Sequence, residues 1–402
     1  MSKSGYLWPL AAACMLCGGA AIAKDLPAYP EKAHVIEQLK AFDHPESAIF
    51  SEDGTHVFVS NAAVYGPPEK STHWTHNAGY VSKLAVQPDG TLKMEKEKLV
   101  DHLTGPLGFA VLPVDVGRLR KGTIFEIEAW APLVDPDGKV VKDPKLLDPK
   151  IIAFDESGKM VGAIPLGKGS AAEKAAGVIA TQGNALAFDK QGNLYATDTG
   201  VGGDQFEPPI PTKGGGVYMF PASSLEALVQ GKERQVYYIP VPQGGPDGIA
   251  VAPDGSIQFN TVGEVAKLND PAHGGMYRMT IEDFKAGKLP RPFETGLGAL
   301  DGCTFAGNLR LDTEIEHTNS VIVTPMGANR SYRLEFDQPI KLTGPADIAV
   351  HRTRDGGYLL LIPQLSATAP SKHDNPLAVV KLPAGFEQAL ANAQGPASAQ
   401  KQ

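Results

Sequence analysis

Apolar runs of five or six residues, separated by Gly-bearing turns, recur along most of the chain. His44-Pro45-Glu46-Ser47-Ala48-Ile49-Phe50 leads through Glu52-Asp53-Gly54 into Val57-Phe58-Val59-Ser60-Asn61. The same phrase returns as Gly183-Asn184-Ala185-Leu186-Ala187-Phe188, Lys190-Gln191-Gly192 and Leu194-Tyr195-Ala196-Thr197-Asp198. It returns again as Pro246-Asp247-Gly248-Ile249-Ala250-Val251, Pro253-Asp254-Gly255 and Ile257-Gln258-Phe259-Asn260. Short runs bounded this way read as strands. Asp-Gly between two of them reads as a hairpin turn, because its central positions accept positive φ at little cost.

Weaker copies begin near Gly108, Asp301 and Asp347, so that positions 46, 108, 184, 247, 301 and 347 head six similar units. Gly79-Tyr80-Val81, Gly215-Gly216-Val217-Tyr218 and Gly274-Gly275-Met276-Tyr277 supply a third strand in three of them. About four strands per unit, repeated six times, predicts an all-β, six-bladed β-propeller with four-stranded antiparallel blades. Short helices are expected over residues 170–180, 223–230 and 281–284, loop insertions over 114–120 and 132–149, and a single propeller over 24–390. Residues 391–402 read as a flexible tail.

The first residues do not share this pattern. Lys3, an apolar stretch over residues 7–22 and Ala21-Ile22-Ala23 have the form of a secretory signal peptide. Cleavage is expected after Ala23, with a periplasmic or secreted product; a lipoprotein signal ending at Cys14 is the competing reading. No stretch approaches the length of a membrane span. Two of the three cysteines lie in this segment, which leaves Cys303 as a buried small hydrophobe and no internal disulfide. A net charge of −8 without a sustained basic run argues against nucleic acid as a partner.

In a propeller the innermost strands converge on one axis, so equivalent positions of different blades approach each other. The position before the inner apolar run carries Glu46, Asn184, Asp247, Asp301 and Asp347, with Gly108 as the exception. Several carboxylates and an amide around one tunnel mouth repel unless a cation compensates them. All-oxygen ligands suit Ca²⁺ first, with Mg²⁺, Mn²⁺ or Zn²⁺ as alternatives. Turn chemistry is the bland reading of a repeated Asx, but Glu46 makes a poor Asx turn. Glu126 and Glu128 alternate with apolar residues and are expected at the surface, with one of them available to supply the carboxylate that Gly108 lacks.

Pro45-Glu46, Gly183-Asn184 with Gly192-Asn193-Leu194-Tyr195, Pro246-Asp247-Gly248 and Leu300-Asp301-Gly302 resemble the senescence-marker-protein/gluconolactonase family and its neighbour diisopropyl-fluorophosphatase. The resemblance implies a catalytic divalent ion in the tunnel, with Glu46, Asn184 and Asp301 matching the family's Glu, first Asn and later Asp. Asp247 stands where the family commonly has Asn, or is itself the later Asp.

These observations lead to a metal-dependent hydrolase of lactones or related esters, with metal ligands Glu46, Asn184, Asp247 and Asp301, and Asp301 or Asp247 as the catalytic base. Asp347 is a further tunnel residue. His73, Trp74, His76, Phe206 and His317 are candidates for loops around a small-molecule substrate. A monomer is expected. The rival readings are a non-catalytic propeller with a structural ion that binds a protein or glycan, and a strictosidine-synthase-like lyase or synthase.

Overall fold

The computed structural model describes residues 24–64, 74–130, 133–139, 141, 148–202, 212–242, 244–263, 274–328, 330–365 and 375–393. Six four-stranded antiparallel sheets follow one another around an axis. Blade 1 comprises Pro45–Phe50, His56–Asn61, Gly79–Val86 and Leu92–Leu103. Blade 2 comprises Pro106–Val111, Ile124–Glu128, Lys150–Phe154 and Met160–Pro165, and blade 3 Gly183–Phe188, Leu194–Asp198, Gly216–Phe220 and Tyr237–Pro240. Blade 4 runs through Pro246–Val251, Ile257–Thr261, Gly275–Met279 and Pro292–Thr295, and blade 5 through Leu300–Ala306, Leu309–Glu314, Ser320–Pro325 and Tyr332–Arg333. Blade 6 takes Ala349–Arg352, Tyr358–Pro363 and Leu377–Leu382 from the end of the chain and His34–Leu39 from its beginning.

That borrowed strand closes the ring. The preceding residues fix it in place: Ala28 and Ala33 bridge in parallel to Arg333 and Phe336 along the edge of blade 5. Tyr29 is buried, stacks on Phe386 with centroids 4.6 Å apart, and donates its hydroxyl to Phe386 O at 2.8 Å. Asp337 accepts Val35 N–H at 3.0 Å and pairs with His34 Nδ1 at 2.5 Å.

Apolar residues from facing blades fill the space between sheets, for example Phe58 against Phe154 and Phe125 against Phe188. One polar staple crosses this core. Arg310, 1% exposed, makes a two-point bond to Asp312 at 2.8 and 2.7 Å and reaches Gln258 on blade 4 at 3.1 Å. Burial alone would disfavour these charges, and the paired geometry compensates it.

The expected helices are Ala171–Ala176, Ala222–Val229 and Ile281–Lys285. The first is capped by Ser170, whose hydroxyl accepts Glu173 N–H at 3.0 Å, and is ended by Gly177 at φ 70°. Two expectations need correction. The insertion over 132–149 is not all loop, since Leu133–Val134 pairs in parallel with Trp74–Thr75 and ties blade 2 to blade 1. Residues 391–393 belong to the helix Ala389–Ala393; the rest of the tail and residues 1–23 lie outside the described residues.

The ring closure predicts that Tyr29→Ala lowers unfolding free energy by about 3 kcal/mol, the scale of truncating a buried aromatic. Tyr29→Phe removes only the hydroxyl bond and costs about 1 kcal/mol. Urea unfolding of the two variants checks this, and equal, negligible losses would mean that the strap does not hold the ring.

Candidate functional site at the tunnel mouth

Each inner strand of blades 1 to 5 carries a β-bulge at the same place. Pairing passes from Pro45↔Asn61 to Ala48↔Val59, from Gly183↔Asp198 to Leu186↔Ala196, from Pro246↔Thr261 to Ile249↔Phe259, and from Leu300↔Glu314 to Cys303↔Asp312. Two inner residues therefore oppose one partner, and the strand bends there. The first of the two is Glu46, Asn184, Asp247 or Asp301. In blade 2 the register runs from Pro106↔Glu128 to Phe109↔Glu126, so that Leu107, and not Gly108, takes that place.

Gly108 is the second bulge residue, equivalent to Ser47, Ala185, Gly248 and Gly302. All are small, and in blades 2, 4 and 5 the reason is steric: a Cβ on Gly108 would run into Asn184 O, one on Gly248 into Asp301 O, and one on Gly302 into the backbone of Asp347. The Gly in Asp247-Gly248 and Asp301-Gly302 thus reflects close approach of neighbouring inner strands.

The N–H freed by the bulge is taken by a side chain of the second strand. Ser60 accepts Ser47 N–H at 2.9 Å, Thr197 accepts Ala185 N–H at 2.9 Å, Asn260 accepts Gly248 N–H at 2.9 Å and Thr313 accepts Gly302 N–H at 2.7 Å. Three of these acceptors also donate to the next blade. Thr197 bonds Asp247 O at 2.5 Å, Asn260 Nδ2 bonds Gly302 O at 2.9 Å, and Thr313 bonds Ala346 O. Asp347 N–H then reaches Glu46 O at 3.1 Å, passing the chain of bonds from blade 6 to blade 1. The sequence reading missed these residues, although a polar residue recurs one place before the end of these four second strands.

The mouth itself collects the predicted carboxylates. Glu46, Asp247 and Asp301 are buried, and Asp347 is half-buried in the same ring. All four carboxyls are pushed above their ordinary range. Burial is the main cause for each; Asp301, Asp347 and Asp247 add repulsion at Glu46, and Asp301 and Asp347 add it at Asp247. Asn184 donates to Asp247 and partly offsets this, as Thr199 does at 3.5 Å. Ser47 donates its hydroxyl to Asp347. Glu46 Oε2 and Asp247 Oδ1 are buried without a hydrogen-bond partner, and no ion pair of the described residues involves these carboxylates. Among the described residues, no group of three or more His, Cys, Asp or Glu side chains is arranged to enclose a metal ion. The donor chemistry and the two orphan oxygens nevertheless fit a hard cation.

Glu126 and Glu128 are not at the surface: they are 0% and 3% exposed. Ile127 packs toward blade 3, against Gly183, so that the two glutamates face blade 1. Glu126 Oε1 accepts the N–H of Leu107, the first bulge residue of blade 2, at 3.0 Å, and its carboxylate acts on Glu46. Its Oε2 is buried without a partner.

The loop candidates divide. Trp74 is buried in the short parallel strand with Nε1 unpartnered, and His76 is half-buried between blades 1 and 2. His317 lies in the loop after blade 5's second strand, where Glu314 accepts the N–H groups of Glu316, His317, Thr318 and Asn319. Glu316 in that loop is pushed up to about 7 by burial and by Glu314, and it acts on Asp301. His73 and Phe206 lie outside the described residues. Cys303 is buried on the inner strand.

No family model matches the chain, and no curated protein matches it. Solved structures do share the fold. A gluconolactonase from Xanthomonas campestris aligns over 92% of this chain and 99% of its own at 14% identity, with a TM-score of 0.51. A protein of unknown function from Dyadobacter fermentans aligns over 87% and 98% at 13% identity and TM-score 0.53. A luciferin-regenerating enzyme aligns over 87% and 95% at 11% identity and TM-score 0.51. The chain is thus a six-bladed propeller of the architecture that gluconolactonases use.

Carboxyls whose folded pKa lies above the unfolded value favour folding most below the unfolded value, and that contribution is lost as pH rises. With chelator present, Asp301→Asn is therefore expected to gain thermal stability relative to the native chain as pH rises from 5 to 8. Added Ca²⁺ at pH 8 is expected to raise the Tm of the native chain more than that of the variant. A Tm difference that stays flat with pH, or an equal response to Ca²⁺, would mean that Asp301 is not part of a repelling ring.

Proposed function

We propose that this protein hydrolyses lactones or related esters with the help of a divalent ion at the tunnel mouth. The observation that carries this reading is the ring of four carboxylates from blades 1, 4, 5 and 6, two of them with orphan buried oxygens and none in an ion pair among the described residues. Glu46, Asn184 and Asp247 would hold the ion with Asp301, and Ca²⁺ suits an all-oxygen set best. When bound, the ion would supply Lewis acidity toward the carbonyl oxygen of the substrate.

Asp301 is the better base. Asp247 is already engaged by Asn184 and Thr199, whereas Asp301 has no side-chain hydrogen bond among the described residues and is the more exposed of the two, 7% against 3%. In this role its carboxylate takes the proton of the water that attacks the carbonyl carbon, while Asn184 keeps Asp247 oriented. The likeness of fold to a gluconolactonase supports the reading without carrying it, since the same fold serves a luciferin-regenerating enzyme. A purely structural ion is disfavoured because the Thr197, Asn260 and Thr313 bonds already join blades 3 to 6 at the mouth. Export after cleavage at Ala23 belongs to the same proposal; Lys24 N–H bonds Gly296 O at 3.1 Å at the start of the strap.

A panel of lactones and aryl esters, assayed with Ca²⁺, Mg²⁺, Mn²⁺ or Zn²⁺, tests the proposal. Chelation is expected to abolish turnover, and Asp301→Asn to lower kcat by about 10²-fold or more with the fold intact. Glu46→Gln is expected to weaken the ion requirement's apparent affinity. Undiminished turnover in both variants would overturn the assignment.

A further inference from the structure

On the face of the ring that carries the tunnel mouth, but further from the axis, a cavity of about 220 Å³ lies between blades 1 and 2. Its floor is the end of blade 2's second strand and the start of its third. There Lys150 stands between two carboxylates, with Nζ 3.3 Å from Glu128 Oε2 and 3.7 Å from Asp148 Oδ2. Burial works against the ammonium, but Glu128 and Asp148 outweigh it and keep it charged. The other oxygen of Glu128 accepts Thr104 N–H at 2.8 Å, so this carboxylate is fixed from both sides. Trp130 is also fixed, with Nε1 bonded to Ala180 O at 2.5 Å. Across the cavity stand His76 and Asn77, the latter donating its N–H to Thr104 Oγ1 at 3.1 Å.

The lining selects a ligand class. Lys150, Asn77 and Thr104 offer donors, while Glu128, Asp148 and Asn77 offer acceptors, all within one small space. Two carboxylates against one ammonium leave a formal excess of negative charge, which disfavours an anion. An ammonium ligand would meet Lys150 as it approached the same carboxylates. Neutral hydroxyls, each both donor and acceptor, match the mixture, and the indole of Trp130 offers a wall for C–H groups. The volume corresponds to about seven waters at ~30 Å³ each, the space of one sugar ring.

We propose that this cavity is a binding site for a neutral polyol of monosaccharide size, separate from the carboxylate ring and independent of the hydrolytic reading. The ligand is held there and no bond is made or broken.

Calorimetric titration of the full chain with glucose, galactose and xylose, with gluconate as the anionic contrast, tests this. At least one neutral sugar is expected to bind saturably, and gluconate about tenfold more weakly than glucose. Lys150→Met is expected to reduce sugar affinity at least tenfold. Asp148→Ala alters a side chain that is 66% exposed, does not threaten the fold, and is expected to reduce affinity several-fold. Asp301→Asn, which removes the proposed base, should leave sugar binding unchanged. The proposal fails if no neutral sugar saturates or if gluconate binds more tightly than glucose. It fails equally if binding survives both cavity variants with native circular dichroism, or disappears with Asp301→Asn, which would locate the ligand at the ring.

Discussion

At the tunnel mouth the inner strands of blades 1 to 5 carry one residue more than the neighbouring strand can pair, and much of the site follows from how that excess is absorbed. The bulge turns the first extra residue toward the axis and presses the second against the next blade. A small side chain then sits at the second position, and in blades 1, 3, 4 and 5 a polar one on the adjoining strand takes the freed N–H. Thr197, Asn260 and Thr313 meet that need and pass a hydrogen bond onward, so the device that presents a carboxylate also joins one blade to the next. Rigidity of the backbone around the mouth and crowding of acids within it have a common origin.

That crowding is a standing cost to the folded chain. Burial and mutual repulsion both oppose ionisation, and no basic side chain among the described residues enters the ring as an ion-pair partner. The contrast with Arg310 and Asp312 is instructive, because there a buried charge is answered by its opposite within hydrogen-bonding distance. The same chain compensates buried charge in one inter-blade space and leaves it open in the tunnel, which is the pattern expected where a ligand completes the site.

Much of this was legible in the amino-acid order. Alternating apolar runs with Asp-Gly turns specify blades, and the recurrence of Glu46, Asn184, Asp247, Asp301 and Asp347 at one place in the phrase marks a converging set. The register was not legible, because a bulge shifts by one residue which side chain faces inward. Hence Gly108 read as the blade 2 member where Leu107 takes that place. Glu126 and Glu128 misled for a related reason: alternation with apolar residues suggests a solvent face, but in a propeller both faces of a blade are covered by its neighbours. Nor does the beginning of a chain announce that it will complete the last blade, since nothing in His34–Leu39 names its partner.

That last arrangement has a consequence for how the molecule comes into being. His34–Leu39 precedes every other blade strand in the sequence and pairs with Leu377–Leu382, which follows the other strands of blade 6. A loop of more than three hundred residues must therefore be brought round before the circle exists, and until then blades 5 and 6 offer bare β-edges to any other chain nearby. The circle therefore depends on two strands far apart in the sequence, and copies in which they have not met are the ones most exposed to pairing with the wrong partner.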